Sequence, residues 1–228
     1  MTSNVEKISL VRELISEAPE QSIVFFGGAG VSTESGIPDY RSSEGLYSRK
    51  FKYPPEEMLS RSFFLEHTED FFDFYFDEMG LGDAKPNQAH KKLTELEEQG
   101  KLIAVITQNV DGLHQKAGSR NVLELHGAVS RNSCTDCDFF ADSNKMQELR
   151  QVAKARDGDG IPRCPACCAT VRPNVVLYDE FLDETVLEAA ARAVAKASIM
   201  IIAGTSLEVY PAAGLLYHFR GSHLIIIN

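Results

Sequence analysis

The chain has no apolar run of about 18 residues or more, the length a helix needs to cross a bilayer, which excludes a helical membrane span. Basic charge is scarce as well. Lys and Arg number 23 against 33 Asp and Glu, a formal net charge of −10, which argues against direct nucleic-acid binding. The opening MTSNVEKISLVRELISEAPE carries charge at helical spacing and does not read as a signal peptide. Five cysteines cannot all pair within one chain, which favours a reducing compartment and makes the cytoplasm the expected location. Neither an internal repeat nor a low-complexity tract interrupts the sequence. What remains is an acidic globular chain of 228 residues, 43% hydrophobic, able to bury roughly 70% of its unfolded surface without a covalent staple. One large domain, or one domain with a smaller insertion, is the expectation for this length.

Strand-like runs alternate with helical patterns. Val5, Ile8, Val11 and Ile15 recur at helical spacing and predict an amphipathic helix over 3–17, ended before Pro19. SIVFFGG (22–28) is β-branched and aromatic without polar alternation, as expected of a strand buried on both faces. LIAVIT (102–107), SIMIIAG (198–204) and HLIIIN (223–228) have the same character. Ala89, Leu93 and Leu96 mark a helix begun near Asn87, and Val186, Leu187, Ala190, Val194 and Ala197 mark another. This alternation predicts a doubly wound α/β core with a parallel sheet. Residues 42–86, rich in Phe and Tyr, and residues 131–171, which hold every cysteine, break the rhythm and read as insertions.

GGAGVSTESGIPDYR (27–41) follows the first strand, where sheets of this kind bind ligands. Gly27, Gly28 and Gly30 allow backbone N–H groups to approach a pyrophosphate that a side chain would obstruct. The spacing is not G-x-G-x-x-G and the usual acidic ribose ligand is missing, so a plain glycine turn stays open. Pro38 then stiffens the loop, and Asp39, Tyr40 and Arg41 offer a carboxylate, an aromatic face and a guanidinium, a combination suited to a flap over a cofactor. ITQNVDGLH (106–114) puts Gln108, Asn109, Asp111 and His114 at the next strand end, although Asn and Asp are also ordinary turn residues. His126 in LELHG reads as a general base or as a satisfied core residue. In GTSLEVYP (204–211), Gly204, Thr205 and Ser206 supply donors suited to a phosphate.

Cys134-x-x-Cys137 and Cys164-x-x-Cys167 are two knuckles able to present four thiolates to one tetrahedral zinc. The 26 residues between them exceed the usual ribbon spacing, so an extra loop is expected there. Buried thiols, disulfides and a redox pair are the other readings, and Cys168 competes with Cys167 as fourth ligand. Four thiolates close the coordination, so such a zinc holds structure. No serine–histidine–acid or hydrolytic metal constellation is evident.

Together, GAGVSTESGIPDYR, TQNVDGLH, LELHG, the two CxxC pairs, RPNVVLYDE and GTSLEVYP resemble, in this order, the motifs of the sirtuin family of bacterial type, NAD-dependent protein deacylases. The resemblance runs from about residue 22 to the end. It implies a Rossmann-like NAD-binding domain formed by 1–41, 87–130 and 172–228, with a helical insertion (42–86) and a zinc-binding insertion (131–171) forming a small domain. NAD, consumed as co-substrate, and acyl-lysine would meet in the cleft between them. On this resemblance Gly28, Ala29, Gly30, Thr33, Asp39, Tyr40 and Arg41 line the cofactor loop, with Tyr40 in place of the commoner Phe. Gln108, Asn109, Val110 and Asp111 lie at the nicotinamide and its ribose, while Gly204, Thr205, Ser206 and Asn228 hold phosphate and adenine ribose. Val175, Val176, Leu177 and Tyr178, and across from them Glu208, Val209 and Tyr210, would form strands between which the substrate peptide adds as a third. Cys134, Cys137, Cys164 and Cys167 would hold one structural zinc. The catalytic residues implied are His126, Asn109 and Asp111. The acyl oxygen attacks the nicotinamide ribose and releases nicotinamide, then His126 activates a ribose hydroxyl, giving free lysine and O-acyl-ADP-ribose.

The sequence also departs from the family pattern. Tyr178-Asp179-Glu180 stands where many relatives have Phe-Gly-Glu, which adds charge near the peptide groove. Relatives that remove acidic acyl groups place a Tyr and an Arg three residues apart after the cofactor loop. Here Lys50 follows Tyr47 at that distance, which favours acetyl, although Arg49 or Lys50 could still bind a carboxylate. The chain ends at Asn228, where relatives continue through an adenine-contacting loop and a last helix, so weaker NAD binding is expected. A non-catalytic NAD or ADP-ribose binding module and a mono-ADP-ribosyltransferase remain alternatives.

Overall fold

The computed structural model describes residues 3–79 and 83–228. The chain opens with α1 (Asn4–Glu17) and β1 (Ile23–Gly27), followed after a long loop by α2 (Pro55–Met58), α3 (Arg61–Glu66) and α4 (Thr68–Glu78). Next come α5 (Gln88–Glu98), β2 (Leu102–Thr107), α6 (Leu113–Ala117) and β3 (Val122–Glu124). They lead into β4 (Gly127–Cys134), β5 (Phe140–Ala141), α7 (Ser143–Arg156) and β6 (Val171–Val175). Last are α8 (Glu184–Lys196), β7 (Ile199–Ala203) and β8 (His223–Ile227).

Five strands form a parallel sheet in the order β3-β2-β1-β7-β8. Successive side chains of β1 point to opposite faces, and both faces are covered, which is why SIVFF carries no polar alternation. Ile23 and Phe25 pack with Val105, Ile201, Leu93 and Leu96 on the α5 side. Val24 and Phe26 pack with Ile106, Met200, Ala190 and Val194 on the α8 side. Asn87 starts α5 by accepting the N–H groups of Ala89 and His90, and Asp183 starts α8 in the same way. The short β3, in the apolar stretch that ends at His126, adds to this sheet. Two expectations need correction. In β8 only Ile225 is buried and Leu224, Ile226 and Ile227 are exposed, because β8 is an edge strand. Helix α1 forms over nearly the expected range, yet none of its residues is buried. Only Val11 and Ile15 reach the core, and Lys101 Nζ ties down its end through the carbonyls of Ile15 and Ser16, at 2.9 and 2.7 Å.

A second, antiparallel sheet has the order β5-β4-β6, with Gly127 opposite Val175 and Cys134 opposite Val171. Its apolar face shares one core with the aromatic helices. Phe64, Phe71, Phe72 and Tyr75 of α3 and α4 pack with Val129, Met146, Leu149 and Val171. Phe64 meets Phe71 edge-on at 5.0 Å between centroids, an arrangement the aromatic quadrupole favours. Among the described residues, no helix is long and apolar enough to cross a membrane.

Candidate active site

The two cysteine knuckles converge. The sulfurs of Cys134, Cys137, Cys164 and Cys167 all lie within 4.8 Å of one another, with Cys134–Cys167 at 3.4 Å and Cys137–Cys164 at 3.5 Å. Zinc bound to sulfur at about 2.3 Å in a tetrahedron needs sulfurs about 3.8 Å apart, so the donor set fits a closed zinc centre. Cys168 stands outside it. Its backbone is left-handed, φ 66°, and its N–H is held by the Cys164 carbonyl, so Cys167 is the fourth sulfur.

The carboxyl ends of β1, β2 and β7 open onto a cleft. Gly30 donates its N–H to the Gly204 carbonyl at 2.9 Å, and a Cβ on Gly30 would lie 2.7 Å from Gly204 Cα. The glycines of the first loop therefore serve first to let two strand-end loops touch backbone to backbone. Among the described residues, the N–H groups of Ala29, Thr205 and Ser206 have no hydrogen-bond partner, leaving three donors at the cleft for an anion. The Thr205 hydroxyl accepts from Gln108 Nε2 at 2.9 Å and from the Leu207 N–H at 3.2 Å.

Beside this lies a buried polar chain. Asn109 Nδ2 donates to the Ser32 hydroxyl at 3.0 Å, Ser32 donates to Asp111 Oδ2 at 2.7 Å, and Asp111 Oδ1 accepts the Leu113 N–H at 2.8 Å. Ser32, buried at the centre, carries no signal of this role in the sequence. A serine among Ser32, Thr33 and Ser35 in a glycine loop gives no local sign of which hydroxyl turns inward. Behind Asp111, His114 packs its ring 4.7 Å from that of His90, both sealed from solvent. Burial, with His90 adding to it, brings His114 down to about 3.

His126 follows β3 and donates from Nδ1 to the Gln108 carbonyl at 3.0 Å. A carbonyl only accepts, so Nδ1 carries the proton and Nε2 keeps its lone pair. Burial holds the imidazole below its ordinary pKa, the Gln108 contact opposing this in part. Gly127 follows at φ 75°, where a Cβ would collide with the Asn174 carbonyl, so the turn after His126 requires glycine.

The loop after Pro38 reaches across the cleft. Leu46 and Tyr47 donate their N–H groups to the carbonyls of Asp39 and Tyr40, each at 2.8 Å. The Arg41 guanidinium sits 5.6 Å from the Tyr47 ring centroid and 3.6 Å from the Glu208 carboxylate, and the Tyr47 hydroxyl meets that of Tyr178 at 2.8 Å. Burial pushes the Tyr40 phenol up to about 12, aided by Tyr178 and Asp111. Two adjoining cavities result, of about 410 and 660 Å³, sharing Ala29, Tyr40, Asn109 and Val110 in their walls. Such a cleft, with a neutral histidine and free N–H donors, suits a nucleotide cofactor and a second substrate.

The Sir2 family model matches residues 28–211, the stretch that holds all of these features. The chain belongs to the Sir2 family. The NAD-dependent protein deacetylase of Clostridium acetobutylicum is 53% identical over 226 residues, covering 98% of this chain and 88% of its own. A solved Sir2 variant with deacetylated p53 peptide and 3′-O-acetyl ADP ribose is 37% identical with a TM-score of 0.85, covering 97% of this chain and 86% of that one. Sir2Tm bound to a propionylated peptide is 36% identical with a TM-score of 0.82 over the same shares.

Most residues expected from the Sir2 motifs meet in these cavities. Gly28, Ala29, Gly30, Asp39, Tyr40 and Arg41 line the smaller one from the first loop; Gln108, Asn109, Val110 and His126 from β2 and the turn after β3; and Gly204, Thr205, Ser206, Val209 and Asn228 from the β7 and β8 ends. Val175, Val176, Leu177 and Tyr178 close its far side, while Asp111 faces the larger cavity. Thr33 and Glu208 line neither: Thr33 is exposed with its hydroxyl on the Gly30 carbonyl, and Glu208 faces Arg41. The expected pair of strands at 175–178 and 208–210 is not formed. Residues 176–178 follow the end of β6, and 208–210 are irregular backbone that turns at 210 into a 3₁₀ helix. Tyr178 instead pairs with Ser60, and the Val176 carbonyl is the one main-chain group of 176–178 without a partner among the described residues.

Proposed function

We propose that this Sir2 protein removes acetyl groups from protein lysines, consuming NAD and yielding nicotinamide, free lysine and O-acyl-ADP-ribose. The observation that carries this reading is His126: neutral, with Nε2 unprotonated, in the cavity that also holds the free N–H donors of Ala29, Thr205 and Ser206. NAD supplies the electrophilic ribose carbon when bound. The chain contributes the rest. Ala29, Thr205 and Ser206 hold phosphate, and Asn109 and Asp111, locked by Ser32, orient the nicotinamide ribose. His126 takes the proton from a ribose hydroxyl as general base, and the loop from Asp39 to Tyr47 excludes water. The peptide lies along 175–178 with the Val176 carbonyl as its acceptor.

We propose further that 1–41, 87–130 and 172–228 form the NAD-binding domain and that 42–86 and 131–171 form a small domain held by zinc; the shared aromatic core of the two insertions supports that division. Cysteines gathered as a four-thiol metal site rather than paired in disulfides support a cytoplasmic location. The test is mass spectrometry after incubation with NAD and a mixture of acetyl-, succinyl- and longer acyl-lysine peptides. O-acyl-ADP-ribose is expected, and measurable NAD binding without any such product overturns the reading in favour of a binding module.

A further inference from the structure

Resting on that reading, we propose that the acyl end of the cleft selects uncharged acyl groups bearing a hydroxyl or keto oxygen, of the 3-hydroxybutyryl type, over both plain and acidic chains of similar length.

The Tyr47 and Tyr178 hydroxyls lie 131 residues apart in sequence and 2.8 Å apart in space, and both line the cavity that contains His126. One of them donates to the other. Whichever does so, one O–H remains, and no other protein acceptor takes it among the described residues. The main chain of both residues is fixed. Tyr178 is pinned through its N–H to the Leu59 carbonyl and through its own carbonyl to the Arg61 N–H, each at 2.9 Å. Tyr47 is pinned to the Tyr40 carbonyl at 2.8 Å and packed against the Tyr40 ring at 5.5 Å between centroids. Burial and the mutual hydrogen bond raise the Tyr47 phenol well above its usual range, so it stays a neutral donor.

Leu59, Met79 and Val110 add apolar surface to the same cavity. An aliphatic tail satisfies those residues but leaves the spare O–H without an acceptor once water is expelled. A tail oxygen supplies the acceptor, and sites built to bond a substrate oxygen reject analogues that lack it. An acidic tail meets the wrong charges. Asp39 and Asp179 line the cavity, Glu180 beside them is paired with Arg172, and Arg41, the lining cation among the described residues, already faces Glu208. Arg49 is held by Glu78 at 2.8 Å. The bonds made and broken are those of the proposed reaction: NAD, acyl-lysine and water give nicotinamide, lysine and O-acyl-ADP-ribose, and only the tail differs.

The experiment compares kcat/KM of the full chain on one peptide carrying acetyl-, butyryl-, 3-hydroxybutyryl- or succinyl-lysine. The 3-hydroxybutyryl peptide should exceed the butyryl peptide by about tenfold, the value of one neutral hydrogen bond, and the succinyl peptide should fall below both. Either single Tyr→Phe variant keeps one O–H, so the decisive protein is Tyr47→Phe with Tyr178→Phe. There the 3-hydroxybutyryl to butyryl ratio should fall to about one, a ratio that cancels any change the double variant makes to all peptides alike. A wild-type ratio near one, a ratio unchanged in the double variant, or succinyl as the best substrate overturns the proposal. If no acyl peptide turns over, the deacylase reading is what fails, and binding of the same fluorescently labelled peptides with NAD present then decides the tail preference.

Discussion

Gln108 holds His126 with its backbone and Thr205 with its side chain: the carbonyl accepts His126 Nδ1 at 3.0 Å while Nε2 of the amide donates to the Thr205 hydroxyl at 2.9 Å. One residue at the end of β2 thus sets the tautomer of the base and the place of a phosphate donor. Its backbone contact survives any substitution that spares the main chain, so the base is fixed by the fold rather than by a replaceable side chain.

Replacing His126 by Ala removes the base without touching the N–H donors. Turnover should fall by about 10² to 10⁴, the range for a general base, with NAD affinity largely kept. Isothermal titration together with a nicotinamide-release assay checks this; loss of both NAD binding and turnover would mean His126 is structural. Because burial lowers its pKa, the acid limb of kcat/KM should lie below the ordinary imidazole value of about 6.5.

Ser32→Ala takes the bridge out of the Asn109–Ser32–Asp111 chain and leaves Asp111 Oδ2 buried without its donor. The expected cost is about 1–3 kcal/mol in stability, read from urea midpoints, accompanied by a fall in kcat. Thr33→Ala, whose hydroxyl only touches the Gly30 carbonyl, should do neither. Equal effects from the two would refute the bridging role.

Cys134→Ser opens the four-sulfur centre and should release one zinc per chain, detected by a metal-sensitive dye. A loss of about 4 kcal/mol corresponds to roughly 8–16 °C in Tm for a chain of this size. Cys168→Ser should leave zinc content and Tm unchanged. Zinc retained in Cys134→Ser at an unchanged Tm would rule out the closed site.

His114 contributes a pH dependence of stability. Its folded pKa is about 3, below the ordinary 6.5, so in that window the unfolded chain binds the extra proton. Stability is fully present above about pH 6.5 and declines as pH falls toward 3. His90, whose pKa is likewise lowered by burial with Asp111 opposing, adds in the same direction. His114→Phe, which removes two buried ring nitrogens without partners, should flatten the decline; an unaltered slope would place the titration elsewhere.

Residue type and spacing alone determined the chemistry on offer. Unbroken β-branched and aromatic runs pointed to strands covered on both sides, which holds for β1 and fails for the edge strand β8; the knuckles pointed to converging sulfurs, and glycine-rich strand ends to a ligand loop or a tight contact. These are local signals, read from neighbours within a few positions. What the tertiary structure decided is mostly a matter of long-range contact and of weak local pattern. Strand β6 reads poorly because Pro173 has no N–H to give; it is tolerated because β6 is an edge strand. Cys167 and Cys168 are alike in sequence, and a left-handed backbone at Cys168 leaves only Cys167 facing the other three sulfurs. Ser32 is chosen over Thr33 by Asn109 and Asp111, 77 and 79 residues away. Tyr47 finds Tyr178 only because the parallel sheet and the aromatic core bring two distant loops to one cleft. No periodicity encodes such pairs, since each depends on the whole chain being folded before either partner has a place.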